Sequence, residues 1–253
     1  IQSAVFQIQR DDRHQLKTLQ PEDYCGEDGS VAEAVIYLEV DRQSGPKAFK
    51  ELQDALLAVL AEVGSAVGDF MAMKNIAGNL DEELDQYVDF LSEHELDETK
   101  TFFQWLCSDH FSFLGYECFS VSGKGVKQQL IRDEGSVLGI LKNKAGHKNK
   151  QLISDFPEAV QAMWDGKTLL SFSKSATRSI VHRPAYPDYI ALKRFDREGH
   201  VVGEHRFVGL YTSNVYTQSP RLIPVIRNKA SSIIERSGFD RRGHKGKDLA
   251  QII

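Results

Sequence analysis

Thr177–Ser213 reads TRSIVHRPAYPDYIALKRFDREGHVVGEHRFVGLYTS, and its centre has the pattern of one long β-hairpin. Tyr189–Phe195 and Val201–Thr212 are rich in apolar and aromatic residues, with Asp196-Arg197-Glu198-Gly199 between them. Acidic and polar residues ending in Gly suit a short hairpin loop, because Gly takes positive φ at little steric cost. Upstream, Arg183-Pro184 and Tyr186-Pro187 push the preceding residues into extended backbone, which predicts an edge-like or irregular approach strand. Neither hairpin strand alternates cleanly. Ile190 and Leu192 share one face, and Tyr189, Ala191 and Phe195 the other. A sheet apolar on both faces is expected to be covered on both.

Around this hairpin, residues 101–240 predict an antiparallel α+β sheet with flanking helices, PAS-like or ACT-like. A short helix capped by Thr99 carries Phe102, Phe103 and Leu106 inward and stops at Ser108-Asp109-His110. Phe111–Val121 follows as a strand with a bulge at Gly115. Short strands are expected at Gln128–Arg132, Val137–Leu141 and Leu169–Lys174, and a short helix at Phe156–Trp164. The last helix starts at Ser219-Pro220 or Ile223-Pro224. It carries Leu222, Ile226, Ala230, Ile233 and Ile234 as its buried stripe and ends at Gly238-Phe239.

Earlier in the chain, residues 4–10 and Ala32–Asp41 read as strands, the second with Ala34, Ile36, Leu38 and Val40 on one apolar face. Ser44-Gly45-Pro46 is a helix start. From Lys47 to about Met73, the residues Phe49, Leu52, Leu56, Val59, Val63, Val67 and Phe70 recur at helical pitch and predict an amphipathic helix. Two strands and a long helix make half of a ferredoxin-like unit. The expected organisation is thus a truncated ACT-like module over 1–75, an acidic helical linker over 76–100, the PAS-like or ACT-like module over 101–240, and a basic tail over 241–253. The first residues already alternate like a strand, so the chain is expected to begin inside a fold.

The chain has 253 residues, a formal net charge of -5 and 26% charged residues, which argues against a general nucleic-acid binder. The charge is uneven: Asn79–Lys100 carries nine carboxylates and one Lys. Such a face is either solvated or meets a basic segment across an interface. Cys25, Cys107 and Cys118 have no CxxC spacing, which points to free thiols in a reducing, cytoplasmic setting. No apolar run approaches the ~18–20 residues of a membrane span, so no membrane partner is expected.

The chemistry visible in the residues is sparse. Gly123-Lys124-Gly125 lacks a Walker pattern, and no GxGxxG opens a helix after a strand. No cofactor or metal is expected in this chain. His200 and His205 sit five apart on one strand, on opposite faces. Cys107, His110 and Cys118 can be imagined converging on a metal, and Ser179, His182 and Asp188 a triad, but no elbow motif supports the second. The best local candidate is an anion site of Arg178, His182, Arg183 and Arg206, with Tyr186 and Tyr189 nearby. Arg grips a carboxylate in a bidentate fork, and a Tyr hydroxyl adds direction. Such a set either holds an amino-acid effector or pairs with carboxylates of the acidic segment or another subunit.

Phe102–Tyr116, Ser179–Tyr216 (SIVHRPAYPDYIALKRFDREGHVVGEHRFVGLYTSNVY) and Ile223–Lys247, with its RSGFD and HKGK, resemble the large NAD-specific glutamate dehydrogenases of bacteria. Val5–Met73 is similar to the part of that family just upstream. The resemblance implies an N-terminal portion built from ACT-like and PAS-like modules, with the dehydrogenase domain further along. It implies a parent enzyme that oxidises L-glutamate to 2-oxoglutarate and ammonium with NAD, assembled as a homo-oligomer from other domains and subunits. The family's glutamate-binding lysines and Rossmann domain have no counterpart here, so no catalytic or cofactor-binding residue carries over. The expected role is a non-catalytic regulatory and assembly segment. A ligand-free structural adaptor and a free-standing hydrolase are the alternatives.

Overall fold

A computed structural model describes residues 2–20, 30–123, 125–143, 149–158, 161, 164, 168–239 and 243–245. Cys25, most of the basic tail and part of the expected Phe156–Trp164 helix lie outside them. The chain divides into two units, Ile1–Ala55 and Leu56–Ile253.

In the first unit, β1 (Gln2–Arg10) is the centre of an antiparallel sheet with β2 (Leu16–Leu19) on one side and β3 (Val31–Tyr37) on the other. The turn after β1 is shaped by Asp11, whose carboxylate accepts the N–H groups of Arg13 and Gln15. Arg10 forks onto Glu33 across the β1–β3 pair, at 2.5 and 2.6 Å. Strand β2 escapes a pattern reading because it is only four residues long. The apolar face expected on 32–41 is not covered: β3 ends at Tyr37, and Val35, Ile36, Tyr37 and Val40 are all exposed. Ile8 is the buried hydrophobic residue among the described strands of this unit. This sheet and the helix that follows it fit an ACT-like fold.

Helix α1 (Pro46–Gly78) runs 33 residues, about 50 Å at 1.5 Å per residue. Its buried residues are Ala66, Met73 and Ala77, with Val63, Phe70 and Ile76 partly buried beside them. Of the expected stripe, Leu52, Val59, Val63 and Phe70 are partly buried, while Phe49, Leu56 and Val67 are exposed, Val67 at 71%. The face that packs is centred on Ala66, Met73 and Ala77. The expected first module ran to residue 75, whereas the compact unit ends at Ala55, since the second half of α1 belongs to the second unit's core. By length and composition this helix is apolar enough to cross a membrane, which corrects the expectation that no apolar run approaches that length. In the fold, Asp69 accepts the Gly139 N–H at 2.7 Å and pairs with Lys142 at 2.7 Å, tying the helix to the sheet.

The second unit is built on six strands: β4 (Phe111–Ser122), β5 (Gln129–Gly139), β6 (Lys150–Leu152), β7 (Leu170–Lys174), β8 (Asp188–Phe195) and β9 (Val201–Tyr211). Their order is β6-β5-β4-β9-β8-β7, and every pairing is antiparallel. This is the antiparallel α+β sheet with flanking helices expected for residues 101–240. The two short strands expected at 128–141 are one strand, β5, with Asp133-Glu134-Gly135 inside it. The bulge expected at Gly115 is present as a register shift between Phe113 and Gly115, where a Cβ would collide with Leu141.

The hairpin is β8 and β9, joined by Asp196–Gly199 with Gly199 at φ +80°. Asp196 closes the turn by accepting the N–H groups of Glu198 and His200. One assignment changes: Phe195 lies with Ile190 and Leu192, against Tyr87 and Phe90, because a register shift between Arg194 and Phe195 turns it over.

Residues 76–100, expected as a linker, are part of the core. Asp81–Leu84 forms the short α2, and α3 (Glu93–Trp105) starts at the Ser92 cap rather than at Thr99, which lies inside the helix and donates to the Glu95 carbonyl. Leu80, Leu84, Tyr87, Leu91, Leu96, Phe102, Phe103 and Leu106 pack against Phe113, Ile190, Leu192 and Phe207 on one face of the sheet. After a left-handed residue at Asp109 (φ 61°), the chain enters β4. Beyond the hairpin come the single turn α4 (Ser213–Tyr216) and α5 (Ile226–Arg236). Of the stripe expected on the last helix, Ala230 and Ile234 are buried, while Leu222, Ile226 and Ile233 are exposed. Glu98, buried, clamps this region by accepting from Arg227 Nε at 2.8 Å and the Val225 N–H at 2.9 Å.

The helix face is directly testable. Met73→Ala should cost about 2–5 kcal/mol, because it empties a fully enclosed site. Val67→Ala should stay within about 0.5 kcal/mol, as an exposed change. Urea midpoints of the two variants check this, and equal losses would place the helix differently.

Candidate functional site

The two faces of the central strands have different chemistry. On the helix side, His205 of β9 is buried between two partners: Nδ1 meets the Tyr116 hydroxyl at 2.7 Å and Nε2 meets the Glu83 carboxylate at 2.9 Å. Glu83 also accepts from the Tyr87 hydroxyl at 2.6 Å, and Tyr87 Oη accepts the Phe195 N–H at 3.2 Å. Cys118 faces His205 across the β4–β9 pair, and Arg194 donates to its sulfur at 3.3 Å. Burial works against the imidazolium, but the Cys118 sulfur and the Glu83 carboxylate outweigh it and push His205 up to about 9. Burial opposes ionisation of Cys118 too. His205 and Arg194 outweigh it and hold the thiol below its ordinary range. Burial and the Glu83 hydrogen bond push Tyr87 up. The cluster pins the acidic helical segment to the middle of the sheet. A thiol, an imidazole and a carboxylate in contact resemble a nucleophile with its base, but Cys118 and His205 are each only 8% exposed and sit in the packed interior.

On the opposite side, the same strands carry a row of alternating charges. Arg132 of β5 pairs with Glu117 of β4 at 2.8 Å. Arg206 of β9 reaches Glu117 at 3.5 Å, bonds Glu204 and stacks over Phe119 at 4.4 Å. Lys193 of β8 is the cross-strand neighbour of Glu204. Lys193, Glu204 and Glu117 are buried. Above Lys193, Glu204, Arg206 and Ala191 lies a cleft of about 610 Å³, walled by Phe156 and Trp164 and rimmed by hydroxyls of Ser171, Ser173, Thr177 and Tyr189.

The sequence-derived anion set is only partly brought together. Arg206 reaches the cleft with Tyr189. Arg178 stacks over Tyr186 at 5.4 Å, both exposed. Arg183 donates to the Tyr211 carbonyl at 2.7 Å and lies over Tyr216. His182 is exposed at positive φ. The imagined triad is absent: Ser179 bonds Val181 in a local turn, and Asp188 pairs with Lys174. Nor do the metal candidates meet. Cys107 donates to the Lys74 carbonyl, and His110 stacks on Trp105. Among the described residues, Asp196, Glu198 and His200 lie close enough to share an ion, in the exposed hairpin turn.

What the sequence reading missed is the row of Glu117, Arg132, Lys193 and Glu204. Its signal was present in Glu204 and Arg206, charges two apart on a strand whose other residues are apolar.

Comparisons with known proteins place this architecture. The family model for the glutamate dehydrogenase ACT1 domain matches residues 1–56, and that for glutamate dehydrogenase helical motif 1 matches residues 223–253. Both matched segments are thus of glutamate dehydrogenase type, the first of them an ACT module. It is 40% identical over 255 residues to the NAD-specific glutamate dehydrogenase of Pseudomonas aeruginosa, covering 100% of this chain and 16% of that protein. It is 37% identical over 258 residues to the namesake from Halomonas elongata, with the same coverage. The chain is similar to the N-terminal region of the large NAD-specific glutamate dehydrogenases, as the VHRP-to-YTS run implied, and spans 16% of the length of these curated relatives. The periplasmic sensory domain of the Campylobacter jejuni chemoreceptor Tlp1 overlays with a TM-score of 0.25 at 13% identity, covering 67% of this chain and 64% of that one, too slight a likeness to bear on fold or function.

Because the folded-state value of His205 lies above its ordinary 6.5, its contribution to stability should be complete below about pH 6.5 and lost as pH rises through about 9. The contribution is on the order of 3 kcal/mol. Denaturant unfolding at pH 6, 7.5 and 9 should show this decline, and His205→Gln should flatten it.

Proposed function

We propose that this chain is a non-catalytic regulatory and assembly segment of a cytoplasmic NAD-dependent glutamate dehydrogenase. The parent polypeptide would convert L-glutamate, NAD and water to 2-oxoglutarate, ammonium and NADH, with NAD bound elsewhere in it. The observation that carries the assembly role is the apolar surface left open within this chain. In the first unit, Val5, Val31, Val35 and Tyr37 on the sheet and Phe49 on α1 are exposed. In the second, Leu57, Leu60, Val67 and Met71 of α1 are more than half exposed. Isolated exposed apolar residues are ordinary, but contiguous patches mark contact surfaces. The relatives' much greater length supplies partners, in other domains of the polypeptide or in further subunits. The hydrolase alternative loses its support, since Ser179 and His182 do not meet.

Leu57→Lys with Leu60→Glu should leave the unfolding midpoint of the 253-residue chain nearly unchanged. The same pair in the full polypeptide should lower its assembly state and its glutamate oxidation together. Light scattering and NADH formation at matched concentration measure both, and an unaltered assembly would remove this reading.

A further inference from the structure

The charged row beneath the cleft calls for a physical reason. Burying ions costs several kcal/mol each, and a buried pair frequently breaks even at best against apolar residues of equal volume. On the helix side of the same strands, the chain uses Ile190, Leu192 and Phe207, all fully buried. On the cleft side it places Lys193, Glu204 and Arg206 among Ala191, Tyr189 and the hydroxyls of β7. A merely structural sheet face has no need of both signs of charge under an open cavity. A cavity of about 610 Å³ with a few convergent polar groups and an apolar wall has the form of a small-molecule site.

We propose that this cleft binds a free α-amino acid as its zwitterion. The charge pattern selects that class. Arg206 presents its guanidinium from the floor, supported below by the Phe119 ring, and among the described residues its recorded bonds to Glu117 and Glu204 use two of its five N–H donors. A carboxylate takes the remaining donors together with the Ser and Thr hydroxyls of the rim. Glu204, one Arg206 partner, is the acceptor for the α-ammonium. The side chain then lies against Phe156 and Trp164, aromatic surfaces that favour a hydrocarbon or aromatic group. Small Ala191 supplies the room over β8. A simple dicarboxylate leaves Glu204 facing a like charge, and an amine alone leaves the remaining Arg206 donors without an acceptor. This rests on the regulatory reading above and names the site through which an effector would act. Coupling to activity requires that the amino acid bind two assembly states unequally.

The test uses the 253-residue chain, with each proteinogenic L-α-amino acid as probe at about 10 mM, read by thermal shift and then calorimetry. At least one should bind. N-acetylation or amidation of that amino acid should each weaken it about tenfold or more, by removing one charge. Ala191→Phe, which fills the cleft and leaves every charge in place, should abolish binding while circular dichroism stays unchanged. Arg206→Gln should weaken binding by a similar factor. No binding by any amino acid overturns the proposal, as does equal binding of the deaminated acid or the capped forms. Binding undiminished by Ala191→Phe overturns it too and moves the site elsewhere. Light scattering of the full polypeptide, run alongside, shows whether the assembly reading stands when this one fails.

Discussion

The pairing of β4 with β9 is the constraint on which the second unit is built. These strands lie at the centre of the sheet, far apart in sequence, and their contact needs backbone to pass close to backbone. Gly203 and Gly209 make that approach feasible: a Cβ at either would run into the carbonyl of Phe119 or Ser112. Once the pair forms, Cys118 and His205 face the helical layer while Glu117 and Arg206 face away. One register therefore sets both the Glu83 tether and the ionic row. A slip of one residue would exchange the two faces, putting ions against the Phe103–Phe207 cluster and aromatic rings into the cleft.

Burial on both sides explains why the hairpin was legible. With neither face solvated, β8 and β9 read as nearly continuous apolar runs, and Asp196–Gly199 marks the turn between them. The same condition hid the exact facing of Phe195. A register shift at Arg194 turns one residue over, and no local pattern announces it. Helix α1 was legible as a helix and only in part as a face: Val63 and Phe70 of the expected stripe pack, and Val67 does not. Where the Val63 end packs is decided by Leu114, Ile140 and Leu210, about fifty residues or more further along the chain. The segment around Tyr87 looked like a linker because its carboxylates dominate its composition. Its leucines and Tyr87 nevertheless fill the core, and one carboxylate, Glu83, turns inward to His205.

The candidate site was legible only at Arg206 and Tyr189. A search for converging cations favoured the Pro-rich approach strand, where Arg178 and Arg183 instead satisfy local carbonyl and ring partners. The ionic row is assembled from four strands, each giving one or two charges, so its members are dispersed from Glu117 to Arg206. Cross-strand neighbours of this sort leave no trace in spacing along the chain. The family resemblance supplied what the residues could not, namely that the dehydrogenase chemistry is to be sought in the rest of a far longer polypeptide.

Cys118 has a consequence of its own. Arg194 and His205 favour its thiolate, so its intrinsic reactivity toward an alkylating reagent is high, yet the packed aromatic layer admits no reagent. A sulfur that is chemically primed and sterically sealed reacts only when the surrounding strands part. Its labelling rate therefore counts those partings. The molecule carries, at its centre, a native clock for how often the sheet breathes.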